Sequence, residues 1–257
     1  MSDGNAEAAR ALKGRVAVVT GSSRGIGRAI ALAFAAEGCS VIVNCRHSRA
    51  EAQAVAREIE ERGGAECFVF QADVSREDEV AAMVQSAAAR FGRLDILVNN
   101  AGIAGRRAFL DIEPAEWHEM IENDLTSVYL CSRAVLPHML RAGWGRIINI
   151  ASTSGMTGGT SGGHYAAAKG GVIALTKSLG REFAPRGITV NAIVPSKIET
   201  VMLERSLEDE VEKGALRCKI PVGRFGRPEE IASLALFLAS ESAGYITGET
   251  IVASGGY

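Results

Sequence analysis

Arg15-Val16-Ala17-Val18-Val19-Thr20-Gly21-Ser22-Ser23-Arg24-Gly25-Ile26-Gly27 begins as a short apolar, β-branched run and ends in three glycines that head a segment of helical period. The run reads as a strand (Arg15–Thr20), the glycines as the turn after it, and Arg24–Glu37 as the helix that follows. Gly21 permits a tight turn, Gly25 lets the backbone approach a pyrophosphate, and Gly27 lets the helix pack close to the sheet. An anion would then rest on the helix N-terminus, where unpaired N–H groups and the dipole favour negative charge. Ser23, Arg24 and Ile26 belong to the same loop and are assigned with the glycines to a dinucleotide site.

Outward from this turn, short apolar runs alternate with amphipathic segments. Ser40–Asn44, Cys67–Ala72, Asp95–Val98, Arg146–Ala151, Ile188–Ile193 and Glu249–Ala253 are the further strands. Arg49–Arg62, Glu77–Phe91, Glu116–Arg141, Tyr165–Ala184 and Glu229–Leu238 carry apolar residues at i, i+3 and i+4. Strands apolar on both faces, alternating with helices, indicate a parallel sheet covered on both sides. The predicted fold class is therefore α/β, a single-domain, doubly wound Rossmann fold with a seven-stranded parallel sheet and helices on both faces. A (β/α)8 barrel is disfavoured by the strand count and by the glycine turn after the first strand. The domain spans residues 14–257 after a flexible N-terminus, 1–13. An irregular stretch of about 196–226 reads as a substrate loop.

The chain has 257 residues, near the upper limit for one core, with 47% hydrophobic and 23% charged residues and a net charge of −2. This balance excludes long disorder and gives no electrostatic reason to expect nucleic acid or an anionic membrane as partner. The five cysteines are odd in number and never form a Cys-x-x-Cys pair, so no disulfide framework or zinc knuckle is indicated. No apolar run is long enough for a membrane span, and the expected location is the reducing cytoplasm. His47, His118, His138 and His164 show no metal-ligand spacing beyond His118/Glu122, which reads as an exposed pair, so no metal is expected. His164 either lines a substrate pocket or sits in a loop.

At the end of the second strand, where an acidic residue commonly takes the adenosine ribose, the sequence reads Asn44-Cys45-Arg46-His47, with no carboxylate from Ser40 to Ala50. Arg46 with Arg24 would form a charge-assisted pair around a phosphate, which favours NADP(H). Tyr165 and Lys169 lie one turn apart on one helix face, and an ammonium beside a phenol favours the phenolate. Ser152 ends the fifth strand, at the sheet edge where ligands bind, and its hydroxyl would hold a carbonyl while Tyr165 gives or takes a proton.

These residues together resemble the short-chain dehydrogenase/reductase family, from about Gly14 to Gly256. The motifs are Thr20–Gly27, Asp73-Val74, Asn99–Gly102, Ser152, Tyr165 with Lys169, Asn191 with Pro195 and Thr200, and Ile246-Thr247-Gly248. The resemblance implies hydride transfer between a nicotinamide and a carbonyl or alcohol carbon, with Tyr165 as general acid/base. Lys169 would assist Tyr165 and bind the nicotinamide ribose, and Ser152 would stabilise the reacting oxygen. Asp73 and Val74 would flank the adenine, and Asn100, Ala101 and Gly102 the ribose. Pro195, Ile198 and Thr200 would lie by the nicotinamide carboxamide and phosphate. A homotetramer is implied as well. Ala166–Ser178 and Ile220–Glu230 look most similar to 3-oxoacyl-(acyl-carrier-protein) reductases, making the ketone of a 3-oxoacyl thioester the expected small-molecule substrate. The alternatives are a sugar, polyol, steroid or xenobiotic carbonyl, or a non-catalytic NADP(H) sensor, against which the complete Ser152/Tyr165/Lys169 set argues.

Three departures stand out. Asp124 replaces the asparagine common in the family. Ionised beside Lys169, it would offset the lysine's charge and shift alcohol oxidation to alkaline pH. Ser196 follows Pro195 where glycine is usual, so the start of the substrate loop would differ. Of two arginines that such reductases present to the acidic carrier, Arg181 matches one, whereas Leu130 occupies the other position.

Overall fold

A computed structural model of the chain describes residues 10–63, 65–159, 161–206 and 210–257. Its strands are β1 (Val16–Val19), β2 (Ser40–Cys45), β3 (Cys67–Gln71), β4 (Ile96–Asn99), β5 (Gly145–Ile150), β6 (Ile188–Pro195) and β7 (Thr250–Ala253). They form one seven-stranded sheet in the order β3-β2-β1-β4-β5-β6-β7. Every neighbouring pair is parallel. The chain builds outward from β1 through β2 to β3, then returns to start β4 on the other side of β1. That reversal leaves a crevice between the C-terminal ends of β1 and β4, the place where sheets of this kind take ligands.

The sheet sorts its side chains by pleat. Ala17, Val19, Val41, Val43, Ile96, Val98, Ile148 and Ile193 share one core with Ile30 and Phe34 of α1 (Gly25–Ala36). α2 (Arg49–Glu61) adds Val55 and Ile59, and α10 (Pro228–Ala239) adds Ile231 and Leu238. Val16, Val18, Ile42, Leu97, Ile147 and Val190 point the other way, onto Met83 of α3 (Glu77–Phe91) and Val135 and Met139 of α5 (Ser127–Ala142). Each buried Phe, Ile or Leu contributes roughly 1.5–3 kcal/mol, so two covered faces hold the sheet edge rigid for chemistry. This is the doubly wound architecture expected from the sequence.

Three local readings change. The helix expected over Glu116–Arg141 is divided: α4 (Pro114–Ile121) and α5 are joined by a π-helical segment, Glu122–Thr126. Such a segment admits one extra residue, re-aims the side chains around it, and occurs most often at functional sites. It turns Asp124 fully into the protein, while Asn123 reaches Arg46. The 196–226 stretch, read as irregular with a weak helix, contains α8 (Val201–Ser206) and α9 (Glu210–Cys218). Its base is clamped, because Glu199 N–H donates to Gly226 O (2.9 Å) and Gly226 N–H to Lys197 O (2.9 Å). Residues 10–13, expected with the flexible tail, form a turn that buries Leu12, whose N–H donates to Glu37 O (3.1 Å). An apolar side chain with a pocket behind α1 gains too much by burial to stay in a tail. The remainder of that tail, residues 1–9, lies outside the described residues.

Candidate active site

The turn after β1 is held from three directions. Thr20 Oγ1 accepts the N–H groups of Asn100 (2.9 Å) and Ala101 (3.0 Å), binding the end of β1 to the segment after β4. Asn100 Nδ2 returns hydrogen bonds to the carbonyls of Thr20 (2.9 Å) and Gly21 (3.0 Å). Asn44, at the end of β2, accepts the Gly21 N–H (3.0 Å) and donates to the carbonyls of Phe70 (3.3 Å) and Ala72 (3.1 Å). Gly21 has φ +61° and a Cβ there would lie 2.9 Å from Ala101 Cα, so no larger residue fits. A Cβ on Gly27 would overlap Asn100 Nδ2 and stand 2.6 Å from Gly21 O. The first turn of α1 has no side-chain cap and no acidic residue. Its open N–H groups and dipole therefore suit a phosphate, which this backbone, with no Cβ in the way, can approach closely.

Thr200 is brought from the far loop to this turn: a Cβ at Gly25 would sit 3.5 Å from Thr200 Cγ2. Ile198 is buried nearby, paired with Gly226, and Pro195 closes β6, its carbonyl accepting the Thr153 N–H (3.1 Å). Ser23 and Ile26 lie in the loop and the first turn of α1, and Val74 is buried just beyond β3.

On the other side of the turn, a cleft of about 490 Å³ is lined by Arg46, His47, Arg49, Gln71, Asp73 and Glu79. Arg46 Nε lies 3.0 Å from Asp73 Oδ2, and its guanidinium also donates to Asn123 Oδ1 (3.2 Å). Burial opposes the Asp73 charge, but hydrogen bonds from Ser75 and the nearby Arg46 hold its carboxyl below the usual range. The two arginines expected around a phosphate each have a protein partner of their own. Arg24 reaches Ser48 Oγ (3.5 Å) and Glu51 (3.9 Å) across the start of α2.

Ser152 lies two residues beyond the end of β5 and its Oγ accepts the Ser154 N–H (3.2 Å) at the start of the single-turn helix α6 (Ser154–Thr157). Tyr165 lies in the first turn of α7 (Gly163–Phe183), half-buried, and Lys169 follows one turn later, almost fully buried. Lys169 Nζ stands 5.8 Å from the centre of the Tyr165 ring and donates to Ile150 O (3.3 Å), two residues before Ser152. The same ammonium pairs with Asp124 Oδ2 at 2.9 Å. Burial acts against the Lys169 charge, yet the Asp124 carboxylate outweighs it and holds the ammonium above the ordinary lysine value. The ends of β5 and α7 thus bring a hydroxyl, a phenol and a fixed cation to the crevice beside the glycine turn.

Thr20 and Asn44 stand in the stretches quoted from the sequence, which assigned neither of them a role in holding the glycine turn. Nothing in their spacing announces a role that consists wholly of contacts with distant segments. His164, left open between pocket wall and loop, is buried in the first turn of α7, under the segment around Gly105. His118 bonds the Pro114 carbonyl (2.6 Å) through Nδ1. Leu130 is buried on α5 and has no access to a surface partner, whereas Arg181 is exposed. Among the described residues no group of three His, Cys, Asp or Glu side chains is placed to hold a metal, and no helix is long and apolar enough to cross a membrane.

A glycine-lined turn at the switch point of a doubly wound sheet, next to a Ser/Tyr/Lys cluster, is the arrangement of an oxidoreductase of the dinucleotide-binding class. The comparisons make this specific. Residues 21–257 match the family model described as enoyl-(acyl carrier protein) reductase. The 3-oxoacyl-(acyl-carrier-protein) reductase of Staphylococcus aureus is 46% identical over 240 residues, 93% of this chain and 96% of the relative. The enzyme of the same name from Synechocystis is 44% identical over 247 residues, 96% of this chain and 98% of the relative. A crystal structure described as that of a short-chain alcohol dehydrogenase from Sinorhizobium meliloti superposes with a TM-score of 0.92 at 37% identity, covering 97% of this chain and 98% of that one. The chain belongs to the short-chain dehydrogenase/reductase family, oxidoreductases that act on CH–OH and C=O groups.

Proposed function

We propose that the protein reduces a 3-oxoacyl thioester to the 3-hydroxyacyl thioester with NADPH. The observation that carries this reading is Lys169, which binds Ile150 O, two residues before Ser152, and places its charge 5.8 Å from the Tyr165 ring, one helical turn after the tyrosine. Bound NADPH would supply the hydride, held with its phosphates on the α1 turn and its adenosine end in the cleft of Arg46, His47 and Arg49. Ser152 Oγ would donate to the ketone oxygen and fix the carbonyl. The Tyr165 O–H bond would break as its proton passes to that oxygen, leaving a phenolate that is reprotonated from solvent. Lys169 would stabilise this phenolate. Arg46 supports NADPH over NADH, since a guanidinium matches a 2′-phosphate and no acidic side chain from Ser40 to Ala50 opposes it. The names of the two curated relatives support a thioester-linked 3-oxo substrate.

The family model's description favours a second reading, reduction of an enoyl thioester at C=C. A hydroxyl and a phenol grouped at one edge suit an oxygen that receives a proton, which favours the ketone. The deciding experiment follows NADPH loss at 340 nm with acetoacetyl and crotonyl thioesters, on coenzyme A and on an acyl carrier protein, alongside small diketones and sugars. Turnover of the 3-oxo thioesters supports the proposal. Turnover of crotonyl thioester alone, or of sugars alone, would overturn it.

A further inference from the structure

The pair formed by Asp124 and Lys169 is more than a packing detail, because both groups are shut away from water beside the phenol. Asp124 is fully buried and Lys169 is 5% exposed. One carboxylate oxygen is hydrogen-bonded and the other is ion-paired. Oδ1 accepts the Ile103 N–H at 2.7 Å in the segment after β4, and Oδ2 stands 2.9 Å from Lys169 Nζ. The wall around it is tight, since a Cβ added to Gly102 would lie 2.7 Å from Oδ2. These contacts hold the carboxylate against the lysine, and the π-helical segment that carries it departs from regular helix geometry at that point.

The groups that face the ammonium are Asp124 from the π segment, the Tyr165 phenol from its own helix, and the Ile150 carbonyl from β5. Arg46 comes near this region but ends on Asn123 and Asp73, not on Asp124. A lone ammonium would present a full positive charge to Tyr165. Paired with a carboxylate in a poorly solvated site, it presents little net charge, while still offering N–H donors.

We propose that Asp124 is a positioning residue that holds Lys169 through its side chain and divides the lysine's charge, so that the site is biased toward the proton-donating form of Tyr165. The protein is then built to run as a ketone reductase up to alkaline pH, with alcohol oxidation opening only above it. This rests on the ketone-reducing function proposed above. In reduction the Tyr165 proton goes to the ketone oxygen and is replaced from solvent. In oxidation the phenolate must take the alcohol proton, and that form is the one Asp124 disfavours.

The test is the pH dependence of kcat/KM in both directions, with the 3-oxo thioester and with its 3-hydroxy product, for wild type and Asp124→Asn. The asparagine keeps the size of the side chain and an oxygen for the Ile103 N–H. Wild-type oxidation is expected to be still rising above about pH 9, and the Asp124→Asn limb to move to lower pH by about one unit, the effect of removing one close like-signed charge. The falling limb of reduction should move by the same amount. Superimposable profiles would overturn the proposal, as would a shift to higher pH, which would mean that Asp124 serves to keep the lysine charged. If the variant does not fold, the wild-type curve decides, and an oxidation rate that has levelled off below pH 8 contradicts the proposal. A wild type active on none of the carbonyl substrates sinks the function and this inference together, whereas activity with unmoved profiles sinks the inference alone.

Discussion

Arg46 and Asp73 join the ends of β2 and β3, Nε to Oδ2 at 3.0 Å, across the cleft that would receive the adenosine end of a dinucleotide. The arginine is half exposed and is held by a partner that a 2′-phosphate would replace with a stronger one. Replacing Arg46 with alanine is expected to lower the ratio of kcat/KM for NADPH over NADH by about 10- to 100-fold, from the ~1.5–3 kcal/mol typical of a charge-assisted hydrogen bond. Steady-state kinetics with both cofactors checks this, and an unchanged ratio removes the basis for NADPH preference.

Gly27 leaves no room for a side chain between Asn100 and the Gly21 carbonyl. Gly27→Ala should therefore spread the turn and cost roughly 1–3 kcal/mol of stability, the range for overpacking in a filled site. Tm should fall, and cofactor binding followed by fluorescence should weaken at least tenfold.

The Asn44 side chain makes three hydrogen bonds, from Gly21 and to Phe70 and Ala72. In Asn44→Ala the buried amide and carbonyls lose their partners, at about 1–3 kcal/mol for such a group. The expected outcome is a lower midpoint in urea unfolding with a raised KM for cofactor and a smaller change in kcat.

Residues such as Asn44 mark the limit of what one sequence reveals. The sheet was legible because both faces of every strand are apolar, and the order of strands and helices leaves few topologies. The glycine turn and the placement of Tyr165 and Lys169 on one helix were legible because their geometry is local, set by three glycines after a strand and by one helical turn. Three features depend on segments far apart in the chain: the clamp on Gly21, the destination of Arg46, and the inward aim of Asp124. The last needed an extra residue in the helix, and no periodicity of apolar residues reports a π segment when the residues on either side keep a regular pattern.

Glu230 anchors the end of the 196–226 stretch to α10, accepting from Arg224 (2.7 and 2.8 Å) and from the Arg227 N–H (2.7 Å). The Arg224 hydrogen bond, with the help of the Arg227 N–H, pulls its carboxyl from the ordinary 4.5 down to about 2. A depressed folded value means that the unfolded chain takes up the proton first. The stabilisation is complete above pH 4.5 and disappears as pH falls toward 2. The Tm difference between wild type and Glu230→Gln should thus be constant above about pH 5 and shrink to nothing on acidification. A difference that stays constant through that window would show that the charge plays no part.

The central claim is that Tyr165 transfers a proton to a ketone on a 3-oxoacyl thioester while NADPH is oxidised, and Tyr165→Phe addresses it most directly. The substitution removes one oxygen and leaves the ring, Lys169 and the phosphate turn in place. With acetoacetyl thioester, NADPH consumption at 340 nm should fall by about 10²–10⁴-fold, the usual contribution of a general acid, while NADPH binding, read by fluorescence, stays within about twofold. Turnover that persists at near wild-type rate with binding intact would contradict the account.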